Sequence, residues 1–324
     1  MSDTDIFEPT ESTFDRFTPY AGIPTWCEYP HSQQAKDIKK ADIVAVGVPF
    51  DMGASNRPGA RFAPRAMRDN SKYAIEYNTV YPWDYDIQNE CKMIDYGDLS
   101  GFCGSGATER MLERTSSHAD RIYKLGAFTL ALGGDHTIPY GFVRAASAKY
   151  GKLAILHFDS HQDSADSETI GVVCHGTFSS DLAREGRVDT GKSVQVFQRT
   201  LAPNEHGYHI IDAFKAIEMG PVKLAKAIKK VTGDTPVYIT FDIDAFDGAV
   251  APATGTPVPG GPDAYFVRRL LFELDGLNVV GADIVEVAPN YDGPAQPTVN
   301  LATFVALDLM YLMYNTRKRM GINI

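Results

Sequence analysis

Several apolar segments of this chain run on with almost no polar alternation, Leu153 to Phe158 and Val237 to Phe241 among them. A strand with one face in water alternates apolar and polar side chains, whereas one covered on both faces reads as a continuous run. These segments therefore demand helices on both sides. The remaining sequence supplies them: β-rich runs at 42–48, 92–96, 127–132, 153–158, 193–198, 236–241 and 278–285 alternate with helix-like stretches at 105–124, 137–149, 221–231, 262–275 and 297–314. Such alternation predicts an α/β fold, a three-layer α/β/α sandwich around a mostly parallel sheet. No internal repeat and no proline-rich or glycine-rich hinge divides the chain, so residues 1–40 are read as a polar lead-in and 41–324 as one domain.

Charge narrows the partners. With 31 Lys and Arg against 41 Asp and Glu, the net charge is −10. Nucleic acid and anionic membrane surfaces need clustered basic residues, so neither is expected, and a small cationic substrate suits the balance better. The first residues carry Asp3, Asp5 and Glu8 and no basic residue before Arg16, which lacks the charge order of a secretory signal; the expected location is the cytoplasm. The apolar stretch from Leu301 to Tyr314 is interrupted by Asp308 and falls short of the roughly 20 residues of a bilayer span, so it reads as a buried helix. Cys27, Cys91, Cys103 and Cys174 have no paired spacing and are read as free thiols.

Four strands end in bursts of polar residues: Gly133-Gly134-Asp135-His136, Asp159-Ser160-His161-Gln162-Asp163, Asp242-Ile243-Asp244 and Asp283 to Glu286. In open α/β sheets the carboxyl ends of strands form the ligand crevice, so segments far apart in sequence can converge there. Extended geometry puts Asp159, His161 and Asp163 on one side, and likewise Asp242 and Asp244. Crowding four carboxylates into a dry crevice costs about 4 kcal/mol per close pair at an effective dielectric near 20. Two divalent cations would cancel four negative charges. Mixed carboxylate and imidazole ligands without thiolate suit Mn, Fe, Co, Ni or Zn better than Mg or Ca. His136, Asp159, His161, Asp163, Asp242 and Asp244 are thus the candidate ligands of a two-metal hydrolytic site.

Other residues flank that set. His157 is read as lying on the opposite side of its strand from His161, as a hydrogen-bonded core histidine. His175, in Cys174-His175-Gly176-Thr177, could bring a titratable imidazole to the crevice rim. Glu286 could pair with a cationic substrate or cap a helix, and Asp135 could orient the neighbouring His136 imidazole. Asp166 and Glu168 favour a cationic or neutral substrate tail or form a solvated acidic loop. Tyr73, Tyr77, Tyr81, Trp83 and Tyr85 could wall a pocket or serve the core or a subunit interface.

From about residue 42 to 314 the chain resembles the arginase and agmatinase (ureohydrolase) family. The agmatinase branch is matched by Gly47-Val48-Pro49-Phe50-Asp51, Arg57-Pro58-Gly59-Ala60-Arg61-Phe62, Tyr81-Pro82-Trp83-Asp84-Tyr85 and Glu286-Val287-Ala288-Pro289. The resemblance implies one metal on His136, Asp159, Asp163 and Asp242 and a second on Asp159, His161, Asp242 and Asp244, with Asp159 and Asp242 bridging. It implies that His175 shuttles a proton, that Glu286 holds a guanidinium, and that hydroxide attacks the guanidinium carbon while Asp163 or His175 protonates the leaving amine. It further implies two divalent ions per chain, usually manganese, and a homo-oligomer, trimer or hexamer.

Departures bear on the substrate. Ser160 stands where the family usually has alanine, Gly248 where it has proline and Ala253 where it has glycine. Ala165 replaces an asparagine common in members that bind an amino-acid carboxylate. An agmatinase-like amidinohydrolase releasing urea is the first expectation. A nickel-dependent hydrolase of an alkylguanidine or biguanide, resembling the metformin hydrolases and working with a paralogous subunit, is the second. A non-catalytic partner subunit and a single-zinc deacetylase on a related fold are the competitors from other classes; the six ligands weigh against both.

Overall fold

A computed structural model describes residues 20–76, 79–203 and 206–322. The strands are β1 (Ile43–Gly47), β2 (Met93–Asp98), β3 (Phe128–Leu132), β4 (Ala154–Phe158), β5 (Val194–Val196), β6 (His209–Ile211), β7 (Val237–Asp242) and β8 (Val279–Val285). They form one eight-stranded sheet in the order β2-β1-β3-β8-β7-β4-β5-β6, and every adjacent pair is parallel. Each residue of β1, β3, β4, β7 and β8 is buried, as unbroken apolar runs require. The helices pack in two groups, Ala63–Ala74, Ala213–Thr232, Ala264–Glu273 and Pro297–Arg319 in one and Ala107–Lys124, Pro139–Tyr150 and Phe178–Arg184 in the other. The four strands that end in polar bursts are consecutive neighbours, β3-β8-β7-β4, so their carboxyl ends meet at the centre of one sheet edge.

Some elements differ from expectation for identifiable reasons. The helix Ala63–Ala74 is not among the expected stretches; its buried face has one large apolar side chain, Met67, beside Arg68 and Ser71, and Arg68 is paired with Asp95 at 2.7 Å. β6 is three residues at the sheet edge, too short for a period-2 signal. The helix expected at 221 starts there, at Pro221; a further helical segment from Ala213 precedes it, set off by the non-helical Gly220 (φ 73°). The last helix continues to Arg319; within that basic turn Arg317 is buried, 2.8 Å from Asp42. Residues 1–19 of the lead-in lie outside the described residues. Its remainder is less polar in role than expected, since Trp26 and Cys27 are fully buried and Trp26 N–H donates to Asp95 at 2.7 Å.

The aromatic stretch packs on the last helix instead of walling a pocket. Trp83 stacks on Tyr311 with ring centroids 4.7 Å apart and donates to Asp308 at 2.8 Å; Tyr85 packs edge-on against Tyr311, while Tyr73 and Tyr81 are exposed. Tyr77 lies outside the described residues. The four cysteines are free, and no helix among the described residues is long and apolar enough to cross a membrane.

The turn after β3 shows why it reads Gly133-Gly134. Both residues have left-handed φ, 68° and 87°, and a Cβ on Gly134 would stand 2.6 Å from the Val48 carbonyl oxygen. Left-handed backbone costs a side-chain-bearing residue about 1–2 kcal/mol before any clash. Gly134→Ala is therefore expected to lower stability by about 2 kcal/mol or more, read as a drop in melting temperature, and to weaken metal retention because His136 follows two residues later.

Candidate metal centre

The loops after β3, β4 and β7 bring the six predicted ligands together. His136 Nδ1 lies 3.0 Å from Asp159 Oδ2, 2.9 Å from Asp163 Oδ2 and 3.2 Å from Asp242 Oδ2, yet none of these contacts has hydrogen-bond geometry. A fully buried ring nitrogen ringed by three carboxylate oxygens without a hydrogen bond is the arrangement of ligands sharing a cation. His161 Nδ1 lies 3.3 Å from Asp159 Oδ1 and 3.2 Å from Asp244 Oδ2. Asp159 thus faces His136 with Oδ2 and His161 with Oδ1. Two groups of side chains could hold an ion, one of His136, His157, Asp159 and Asp163 and one of Asp159, His161 and Asp244; the first includes His157, which was not among the predicted ligands, and Asp242 joins the cluster through His136.

Electrostatics points the same way. Burial, with Asp244 and Asp159 nearby, pushes the Asp242 carboxyl well above its usual range; burial and Asp159 raise Asp244. The site needs positive charge that no Lys or Arg ligand provides. The donor set and the orphaned His136 nitrogen both fit divalent cations.

Two of the polar bursts owe their geometry to strained backbone. Asp163 (φ 47°) and Glu286 (φ 61°) are left-handed although neither is glycine, and such residues persist where surrounding contacts fix them. Asp163 is fixed by Ser179, whose hydroxyl donates to the Asp163 carbonyl at 2.7 Å. Glu286 caps no helix: its N–H donates to the Gly134 carbonyl at 2.9 Å, and its Oε1 accepts from His136 N–H at 2.9 Å and meets His175 Nδ1 at 3.0 Å. No hydrogen bond reaches Oε2, which faces Gly255; a Cβ there would come within 3.3 Å.

Two side readings are corrected. His157 is not turned away from the ligands. Residues two apart on a strand share a face, and His157 Nε2 lies 2.7 Å from Asp159 Oδ2, with Gln195 donating to Nδ1 at 3.1 Å. Asp135 does not orient the His136 ring, because its carboxylate accepts from Gly53 N–H at 2.7 Å and Thr137 N–H at 2.9 Å. That task falls to Thr240, 2.9 Å from His136 Nε2, which donates to Asp283 at 2.8 Å. Of the two readings of Asp166 and Glu168 the solvated acidic loop fits: both are at the surface beside Arg184, and Asp166 caps the helix Ser167–Ile170.

Thr240→Val keeps the size of the side chain and removes this link. Partners of metal-ligating histidines typically carry a 10–100-fold effect on metal affinity, so a loss of about that size is expected in metal titrations, with the fold intact by circular dichroism.

Sequence reasoning missed Arg199. Its guanidinium donates to the carbonyls of Phe197, Asp244, Ala245, Phe246 and Val258 at 2.7–3.2 Å and ties the loop after β7 to the end of β5. Nothing local in the sequence marks it, because all of its partners are backbone atoms. Ser160, one of the departures, donates its hydroxyl to Asp244 Oδ1 at 2.7 Å and lies 3.0 Å from His161 Nδ1, contacts an alanine could not make.

Comparison with known proteins gives this geometry its place. The sequence pattern of the arginase family matches residues 41–312. The chain belongs to the arginase family. Agmatinase from Escherichia coli O7:K1 is 38% identical over 276 residues, which cover 84% of this chain and 87% of that one. The crystal structure of a hypothetical agmatinase from Burkholderia thailandensis superposes with a TM-score of 0.86 at 36% identity, covering 93% of each chain. Proclavaminate amidino hydrolase from Streptomyces clavuligerus gives 0.84 at 33% identity, covering 92% of this chain and 99% of that one. Membership makes this chain a metal-dependent amidinohydrolase that cleaves C–N bonds of a small guanidino compound, with the binuclear divalent-metal site of the family.

Proposed function

We propose that this chain is an agmatinase-like enzyme in which His136, Asp159, Asp163 and Asp242 hold one manganese ion and Asp159, His161, Asp242 and Asp244 the other. The observation that carries the ligand assignment is the buried His136 Nδ1 with three carboxylate oxygens at 2.9–3.2 Å. Two divalent ions held by these residues would neutralise the four carboxylates and supply the Lewis acidity that makes water a nucleophile near neutral pH.

The chain's own groups do the rest. Glu286 keeps Oε1 on His136 N–H and turns Oε2 to the guanidinium, a charge-assisted pairing that sets the planar carbon over the ligand cluster. His175, 3.0 Å from Glu286, and Asp163 stand where a leaving nitrogen can take a proton. Thr240 keeps the His136 ring in place, and Ser160 does the same for Asp244. Ala165, in place of asparagine, leaves a substrate carboxylate without a partner, which favours agmatine over arginine or guanidinobutyrate. We further propose one domain over 41–324, a homo-oligomer, trimer or hexamer, and a cytoplasmic location.

One observation favours a second reading. Arg184 pairs with Asp166 at 2.6 Å and lies 3.5 Å from Glu168, which reduces the negative charge these acids would offer the cationic tail of agmatine. A neutral alkylated guanidine or biguanide with nickel then becomes the competing substrate and metal. The test is urea release from agmatine, arginine, guanidinobutyrate, guanidine, dimethylguanidine and metformin, with protein loaded separately with manganese and nickel. Agmatine with manganese is expected to turn over fastest; preference for an alkylated guanidine or biguanide with nickel overturns the first reading.

A further inference from the structure

The loop after β1 brings Ser55 to the outer edge of His175. The Ser55 backbone N–H donates to His175 Nε2 at 3.1 Å, and the Ser55 hydroxyl lies 2.8 Å from the same nitrogen. Across the ring, Nδ1 is 3.0 Å from Glu286 Oε1. An amide N–H can only donate, so Nε2 carries the lone pair and the ring proton sits on Nδ1, donated to Glu286. Both ring nitrogens are therefore engaged, one by buried Glu286 and the other by exposed Ser55.

Three carboxylates face the ring: Glu286 at the end of β8, Asp135 after β3 and Asp163 after β4. Burial opposes charge on the imidazole, and the Glu286 hydrogen bond favours it. The Ser55 N–H, by contrast, suits only the neutral ring. A hydroxyl donates and accepts equally well, so Ser55 Oγ is the one neighbour of Nε2 that fits both states.

We propose that Ser55 is a positioning residue through which His175 exchanges its proton with solvent. The reaction requires such an exchange. Cleaving a guanidinium to urea and an ammonium puts two protons on the leaving nitrogen; the attacking hydroxide brings one, and His175 gives the other from Nε2, which leaves the ring with its remaining proton on Nδ1 toward Glu286. To reload His175, solvent passes a proton to Ser55 Oγ as the Oγ–H proton moves to Nε2. One O–H bond forms and one breaks, the hydroxyl is unchanged, and the imidazole gains one proton. This inference rests on the reading of His175 as the proton donor.

The experiment compares Ser55→Ala, Ser55→Thr and His175→Ala in the metal-loaded enzyme, reading kcat, KM and metal content at low and high concentrations of N-methylmorpholine, a small tertiary-amine buffer. Ser55→Ala is expected to lose about tenfold in kcat at low buffer, less than the 10²–10⁴ of a general acid itself. KM and metal content should hold, kcat should recover as buffer rises, and Ser55→Thr should match the unmodified enzyme. Wild-type kcat in Ser55→Ala at low buffer, a loss that buffer does not restore, or a loss accompanied by missing metal overturns the relay. Slow His175→Ala beside unimpaired Ser55→Ala overturns the relay alone; His175→Ala with full kcat overturns the reading of His175 as well.

Discussion

Asp242→Ala is expected to strip metal from the purified protein and to abolish most urea release. Asp242 lies buried among Asp159, Asp244 and His136, and the proposed assignment makes it a ligand of both ions. Removing one member of a buried charge cluster costs the remaining charges about 3–5 kcal/mol, which weakens ion binding by about 10²–10⁴-fold. Turnover should fall with occupancy. Without ions the same substitution relieves repulsion, so the metal-free variant should melt at a higher temperature than the metal-free parent. Manganese should then raise the melting temperature of the parent and leave the variant almost unchanged, since an ion stabilises only in proportion to its saturation of the native state. Equal metal content and equal turnover in parent and variant would remove Asp242 from the site.

Glu286→Gln is expected to separate substrate binding from metal binding. Glu286 contacts no predicted metal ligand through its carboxylate other than the backbone N–H of His136, and glutamine can keep that acceptor. What is lost is the negative charge beside a bound guanidinium. Truncating one partner of a buried, hydrogen-bonded charge pair costs about 2–5 kcal/mol, or about 30–5,000-fold in kcat/KM. Metal content should stay at the parental value. Steady-state kinetics with metal analysis checks this; an unchanged kcat/KM would mean that another group holds the substrate.

The sheet was legible because burial on both faces writes itself as unbroken apolar runs, and strand ends could be placed within a residue or two around Leu153 to Phe158 and Val237 to Phe241. What hid was structure whose burial is polar. Arg68, Asp95, Arg317 and Asp42 are buried as ion pairs, so the buried faces of the helices carrying Arg68 and Arg317 include charged positions that look like surface in the sequence. The cluster of candidate ligands was legible because acids and imidazoles at alternate positions of a buried strand end are costly to desolvate unless a cation binds them. The contacts that orient them were less so. Thr240 and Asp283 act across neighbouring strands, their side chains meeting through the β7–β8 register that pairs those two residues, and no spacing along one segment announces that. Arg199 and Ser55 meet backbone atoms or residues far away in the chain, and only the folded structure shows them.

Counting metal tests the account most directly. Protein stripped with chelator, reloaded with excess manganese, desalted and analysed by plasma emission should hold two manganese ions per chain. One ion per chain, or none, would contradict a site in which six side chains from three strand ends hold a pair of divalent cations.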